Sequence, residues 1–195
     1  DPAYQITPAV MPKKIMVIGA GPSGMECAIT AKRRGHDVVV FERGPGIGGA
    51  LAGYAKNDLA NSDDLTSVVA YYRNMAEALN IEVRCNTAID VKAMRSMLHQ
   101  YDVAVIATGA RIDSRFLPEC TQPGLLVDAL DVAADKVQAG ARVVVLGGGK
   151  IGLTLAESLK KNHGREVTVV DSDKRIAGDV MPSFKWRHTA WIEEL

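Results

Sequence analysis

The chain has 195 residues, of which 47% are hydrophobic and 24% charged, proportions that are ordinary for a globular protein able to bury a core. Its 23 basic and 23 acidic residues cancel, so we expect no nucleic-acid partner and no anionic membrane surface as partner. No apolar run approaches the ~20 residues needed to span a bilayer, which excludes a membrane span from the expected fold.

Residues 1–12 are polar, contain prolines and lack the apolar region of a secretory signal, so we interpret them as a linker in a cytoplasmic protein. Residues 14–18 have the pattern of a buried strand and lead into the run GAGPSG at 19–24. Glycines after such a strand let the backbone turn, admit a pyrophosphate and allow the next helix to lie close to the strand. We expect that helix to begin at about Ser23 and to end at Gly35, with its first N–H groups facing the pyrophosphate.

A second strand at 37–41 delivers Glu42 to its carboxyl end. A carboxylate there can accept hydrogen bonds from both hydroxyls of an adenosine ribose, and it disfavours a 2′-phosphate. Strand, glycines, helix, strand and acid in this order predict a dinucleotide site. The alternative is a doubly wound domain whose turns merely need glycine.

The segment after Glu42 continues the first domain. A glycine-rich loop occupies 43–50, and 91–100 indicates a short helix with Met94, Met97 and Leu98 facing inward. Residues 101–106 indicate a fully buried strand. The small residues that follow it, Thr108 and Gly109, would let the backbone pass close to a bound nucleotide.

A second fingerprint, GGGKIG at 147–152, repeats the logic of the first. It lies between a strand at 141–146 and a helix at 150–162, and a further strand at 166–170 ends at Asp171. That acid favours NADH over NADPH, although Lys174 and Arg175 would reach a 2′-phosphate if the loop folds back. Parallel sheets are normally covered by helices on both faces, and a single βαβ unit supplies too few of them, so we expect a small core here.

The cysteines and histidines indicate no metal or redox site. Cys27, Cys85 and Cys120 are far apart in sequence and lack the close spacings of zinc, iron–sulfur or dithiol sites. The four histidines form no ligand spacing. We therefore predict no metal and no catalytic acid or base in this chain.

Several of these motifs together resemble a known group of flavoproteins. The run GAGPSG, Glu42-Arg43 followed by GGAL at 48–51, and ATG at 107–109 resemble the FAD half of flavoproteins with two dinucleotide domains. Within that group, the chain from about Lys14 onward is similar to the C-terminal part of the 2,4-dienoyl-CoA reductase, trimethylamine dehydrogenase and histamine dehydrogenase family. The phrases that carry this likeness lie at 17–26, 34–38, 102–110 and 178–182.

The resemblance implies an α/β fold. A Rossmann-like FAD-binding domain at 13–138, with a parallel sheet and helices on both faces, would be followed by a truncated Rossmann-like βαβ unit at 139–195. That second unit would be a partial NAD(P)-binding domain.

The implied function is that of an FAD- and NAD(P)H-binding electron-transfer module, which passes a hydride from NAD(P)H to FAD in a flavin-dependent oxidoreductase. The alternative is a structural module that binds ADP without redox activity of its own, as in the amine dehydrogenases. Members of the family also carry an N-terminal FMN barrel and a 4Fe-4S cluster, which we expect in a preceding part of the parent enzyme, as a partner of this chain. The sequence leaves open whether the chain also forms a homo-oligomer.

The cofactor-binding residues expected from the motifs and the resemblance fall into two sets, one for FAD or ADP and one for NADH. For the first site they are Gly19, Ala20, Gly21, Pro22, Ser23, Gly24, Glu42, Arg43, Gly49, Ala50, Leu51, Ala88, Ile89, Thr108 and Gly109. For the second site they are Gly147, Gly149, Lys150, Ile151, Gly152 and Asp171.

Overall fold

The structure is a computed structural model that describes residues 5–55, 62–110, 119, 122, 124–178, 180, 181, 185 and 190. The chain divides into two compact units. The first comprises Asp1–Ala52 and Asp63–Asp113, and the second comprises Gly53–Ser62 and Ser114–Leu195.

The first unit is built on a four-stranded parallel sheet in the order β3-β2-β1-β4. Its elements are β1 (Lys14–Ile18), α1 (Pro22–Arg33), β2 (Asp37–Phe41), α2 (Ala50–Tyr54), α3 (Ser62–Ala78), β3 (Glu82–Arg84), α4 (Val91–Met97), a 3-10 helix (Leu98–Gln100) and β4 (Val103–Ile106). The division between the units falls within α2. The central strand pairs in register with both neighbours, so Met16 lies between Val39 of β2 and Ala104 of β4.

Helices cover both faces of this sheet. On one face, Val17 and Val40 pack in a buried cluster with residues of α1 and α3 such as Ile29. On the other face, Met16 and Phe41 form a second cluster, against which Met94 and Met97 of α4 pack. Successive strand residues point to opposite faces, so two apolar layers form from one run of sequence. The expected α/β fold is confirmed.

Two expectations about buried residues are wrong. Leu98 is exposed, because the chain tightens from an α-helix to a 3-10 helix at this residue and so turns the side chain away from the row of Met94 and Met97. The strand β4 is only partly buried, and Ile106 is 69% exposed, because β4 lies at the edge of the sheet.

The second unit contains α5 (Ala129–Ala133), β5 (Arg142–Leu146), α6 (Lys150–Lys161) and β6 (Glu166–Val170), with β5 and β6 paired in parallel. Leu155 and Leu159 of α6 cover one face of this two-stranded sheet. Among the residues that the structure describes, none covers the other face, where Val144 is 61% and Leu146 46% exposed. The small core expected of a single βαβ unit is what the structure has.

The cysteine side chains that the structure describes are free thiols. Cys27 and Cys85 are half-buried and unpaired, and burial raises the pKa of the Cys27 thiol, which disfavours a reactive thiolate. Cys120 lies outside the described residues. Within the described part of the chain, none of the helices combines the length and apolarity that crossing a bilayer requires.

Candidate functional site

The first glycine turn begins where β1 ends. The N–H of Gly19 donates to the carbonyl of Phe41 at 2.7 Å, which ties the turn to the end of β2. Gly19 has a φ of +109°, and a Cβ at this position would overlap the carbonyl of Ala107, just after β4. The glycine is therefore required by close approach of the chain itself.

The other two glycines of the turn have different surroundings. A Cβ at Gly24 would overlap the carbonyl of Gly19, so this residue lets α1 lie against the turn. A Cβ at Gly21 would find no heavy atom nearer than the Cα of Gly49, at 3.9 Å. The chain therefore has room for a methyl group at Gly21, in ordinary van der Waals contact with Gly49. Gly21 is the N-cap of α1 and has no side chain to cap the helix. The N–H groups at a helix N-terminus form a site for an anion such as a diphosphate.

Glu42 lies at the carboxyl end of β2 and is only 9% exposed. One carboxylate oxygen accepts the N–H of Ala20 at 2.7 Å, and the other accepts the N–H of Gly44 at 2.6 Å. A carboxylate has about four lone-pair sites, so each oxygen keeps acceptor capacity. The acid therefore holds the glycine turn and can still receive hydroxyl groups.

The loop after Glu42 returns to the glycine turn. Gly48 donates its N–H to the carbonyl of Ala20 at 2.9 Å. Gly49, at a φ of +54°, faces Gly21 so closely that a Cβ on Gly49 would lie 2.9 Å from the Cα of Gly21. The expected loop residues Ala50 and Leu51 follow directly and begin α2.

The remaining expected residues of the first site lie around this turn to different degrees. Thr108 follows Ala107, whose carbonyl lies behind Gly19. The N–H of Thr87 donates to the carbonyl of Glu42 at 2.8 Å, which places the next two residues near the acid: Ala88, which is exposed, and Ile89, which packs under the sheet. Arg43 and Gly109 are exposed, and no contact among the described residues holds either of them at the turn.

The second unit repeats the arrangement. Gly147 has a φ of +105° and donates its N–H to the carbonyl of Val170 at 2.8 Å. A Cβ at Gly152 would overlap the carbonyl of Gly147. The helix α6 begins at Lys150 after the N-cap Gly149, and the side chain of Ile151 is exposed at its first turn.

Asp171 occupies the position of Glu42 at the end of the second strand of this unit. Its carboxylate accepts the N–H of Asp173 at 2.8 Å and the N–H of Gly148. These backbone donors lower the pKa of the Asp171 carboxyl, so the group is ionised at neutral pH. Lys174 and Arg175 follow with exposed side chains.

Several residues lie at the turns that were not expected there from the sequence. They are Gly44 and Gly48 in the first unit, Ala107 behind Gly19, and Gly148 in the second unit. Gly148 was detectable, because aligning the two fingerprints places it opposite Ala20. Within the described ranges, no group of three or more His, Cys, Asp or Glu residues could hold a metal ion.

Comparison with known proteins identifies the family. The sequence profile described as pyridine nucleotide-disulphide oxidoreductase matches residues 13–194. An NADH oxidase from Thermoanaerobacter brockii is 31% identical over 185 residues, which cover 91% of this chain and 27% of that protein. The chain spans about a quarter of the length of the curated relatives it matches.

Solved structures extend the likeness to the fold. A 2-naphthoyl-CoA reductase complex superposes with a TM-score of 0.87 at 35% identity, over 100% of this chain and 28% of that chain. A histamine dehydrogenase from Rhizobium sp. 4-9 superposes with a TM-score of 0.78 over 98% of this chain and 31% of that chain. Its identity of 18% supports the fold alone. These relatives confirm the resemblance noted in the sequence. Since the family profile extends over nearly the whole chain and the glycine turns follow parallel strands as the fold requires, the chain belongs to the pyridine nucleotide-disulphide oxidoreductase family.

Proposed function

We propose that the chain is the FAD- and NAD(P)H-binding electron-transfer part of a flavin-dependent oxidoreductase. The first glycine turn would bind the ADP half of FAD, and the second would bind NADH. One observation carries the proposal: each unit joins a glycine turn at a helix N-terminus to an acid at the end of the next strand. When bound, these cofactors would supply hydride donor and acceptor, while the protein supplies binding and orientation.

The first turn suits a diphosphate. A side chain at Gly21 would meet the protein only at the Cα of Gly49, at 3.9 Å, and Gly21 lies at the N-terminus of α1. Backbone N–H groups and the helix dipole there attract negative charge without a lysine. The exposed hydroxyl of Ser23, in the first turn of α1, can add a donor.

The acids suit the ribose hydroxyls. Glu42 and Asp171 are each held by two backbone N–H groups, which fixes the direction of the carboxylate before a ligand arrives. An ionised Asp171 repels a 2′-phosphate, so we propose NADH as the ligand of the second site.

The composition of the rest of the enzyme is also proposed, because this chain corresponds to only a part of each relative. We propose that this chain works with an N-terminal FMN barrel and a 4Fe-4S cluster in a cytoplasmic parent enzyme. The reaction on the final substrate would then take place outside these residues.

A second candidate, ADP binding without redox work, is favoured by the contacts of the first site. The described turn, helix N-terminus and Glu42 all suit the ADP half of the ligand. Calorimetric titration with ADP and with FAD separates the two candidates. Tighter binding of FAD than of ADP supports the flavin, and equal affinity supports the ADP module.

The test of the main proposal is reconstitution. Protein incubated with FAD and then freed of unbound FAD should retain flavin absorbance. NADH added without oxygen should bleach this absorbance. If the protein binds neither FAD nor ADP, the proposal is wrong.

Replacing Glu42 by Gln tests the assignment of the acid. The amide cannot accept the N–H of both Ala20 and Gly44, so we expect FAD affinity to fall about tenfold or more, as for the loss of a charged hydrogen bond. Glu77→Gln, on the exposed surface of α3, is the matched control and should bind FAD normally. Unchanged affinity in Glu42→Gln would contradict the assignment.

A further inference from the structure

The two units share a set of backbone hydrogen bonds that extends beyond the glycines and acids. The middle residue of each turn, Ala20 or Gly148, donates its N–H to the acid. The carbonyl of the same residue accepts an N–H from the residue six positions after the acid. This donor is Gly48 in the first unit, at 2.9 Å, and Ala177 in the second, at 2.7 Å.

The loop between the acid and this donor is also fastened in the same way. Two residues after the acid, Gly44 donates its N–H to Glu42, and Asp173 donates its N–H to Asp171. The loop 172–178 of the second unit is therefore the structural equivalent of the loop 43–49, although the two sequences share little beyond an isoleucine and a glycine. We call 172–178 the return loop.

The backbone of Ala177 supports a specific role for this loop. Ala177 has a φ of +61°, a left-handed conformation that residues with a side chain rarely adopt, whereas Gly48 adopts a positive φ without hindrance. Ala177 is also fully buried, in a cluster with Leu153 and Val180. Uncommon backbone of this kind persists where the surroundings require it and is frequent at ligand sites.

The side chain of Ile176 lies directly over the turn. A Cβ added to Gly148 would lie 2.6 Å from the Cγ2 atom of Ile176. The small residues at the turn and at the loop are exchanged between the units. The first unit has alanine in the turn, Ala20, and glycine in the loop, Gly48, whereas the second has Gly148 in the turn and Ala177 in the loop. Each unit thus has one alanine and one glycine at this pair of positions, and the isoleucine before the second of them, Ile47 or Ile176, is common to both.

We propose that the return loop belongs to the second nucleotide site, with Ile176 and Ala177 as its positioning residues, an inference that rests on the function proposed for this unit. Ala177 fixes the carbonyl of Gly148, Asp171 fixes its N–H, and Ile176 covers its Cα. Together they orient the peptide that precedes Gly149 and the N-terminus of α6, where the diphosphate of NADH binds.

Two variants of one residue test the role of Ala177. A β-branched valine resists a positive φ, so Ala177→Val should open the loop and weaken NADH binding about tenfold, as for the loss of one hydrogen bond. Ala177→Gly keeps both the N–H and the conformation, so it should bind NADH within about threefold of the parent protein. Calorimetry on protein whose first site is filled with FAD measures this affinity, and the titration uses NAD⁺, which has the same diphosphate as NADH but cannot reduce the flavin.

The result also distinguishes a local role from general damage. FAD affinity, measured separately, should stay unchanged in both variants. Wild-type affinity for NADH in Ala177→Val would overturn the proposal. An equal loss in Ala177→Gly would also overturn it, because the effect would then come from the changed packing of the buried Ala177 side chain and not from the backbone conformation. If the parent protein itself binds no NADH, the function proposed for the second unit fails and the inference fails with it.

A double-mutant cycle keeps the proposal testable if Ala177→Val does not fold. Gly148→Ala should collide with Ile176 and lower NADH affinity about tenfold, and Ile176→Gly should remove the collision. The double variant should therefore lose less affinity than the product of the two single losses. Additive losses would overturn the positioning role of Ile176.

Discussion

At the residue scale, the three glycines of a fingerprint serve two different needs. Gly19 and Gly24 are in contact with other parts of the chain, so a methyl group at either position meets a backbone carbonyl. Gly21 has an ordinary φ of −73°, and a methyl group there would make only an ordinary contact with Gly49. The structure thus separates two glycines that the fold requires from Gly21, which we propose is a glycine because of the ligand.

This separation predicts opposite behaviour of two alanine variants. Gly24→Ala should destabilise the first unit by about 1–3 kcal/mol, because α1 must move away from the turn. Gly21→Ala should change stability by less than about 1 kcal/mol, yet it should weaken FAD or ADP binding about tenfold by occupying the space for the diphosphate. Thermal unfolding and calorimetry measure the two effects. A stable Gly21→Ala protein with normal FAD and ADP affinity would contradict the placement of the diphosphate.

At the element scale, the sequence predicted the strands and helices of both βαβ units closely. Strands at 14–18, 37–41 and 166–170 are observed with these bounds, because continuous β-branched and apolar runs between glycines leave little choice. The prediction of a fully buried β4 failed, since an apolar run does not tell whether its strand is central or at an edge. Edge position is decided by pairing with distant segments.

The open face of the β5-β6 sheet predicts how neighbouring residues of one strand respond to substitution. Val145 is 6% exposed and lies against Gly152 of α6, whereas Val144 is 61% exposed. Val145→Thr should cost about 1–3 kcal/mol, because it buries a hydroxyl without a partner. Val144→Thr, the matched control in the same strand, should change stability by less than about 0.5 kcal/mol. Equal losses in chemical unfolding would show that the open face is covered in solution.

At the scale of the whole molecule, the zero net charge of the chain explains why each of the two units carries its own set of hydrogen-bond donors. The chain has no net charge to attract an anionic cofactor, so affinity must come from local donors, and each unit supplies its own set. The glycines and the acids were predictable because their spacing is regular. The hydrogen bonds from Gly48 and Ala177 were not, because loops of different sequence give them through backbone atoms alone.

Hydrogen–deuterium exchange can show whether the two units bind separate ligands. A ligand at 100 times its Kd stabilises the bound state by about 2.7 kcal/mol, so opening of the segments it holds should slow about a hundredfold. FAD alone should protect amides at 19–24 and 42–49, and NADH added to FAD-saturated protein should protect those at 147–153 and 171–177. The helix α4, on the opposite face of the first sheet from α1, is the internal control and should exchange at an unchanged rate. Protection by NADH at 19–24 without any at 147–153 would mean that a single nucleotide site operates in this chain.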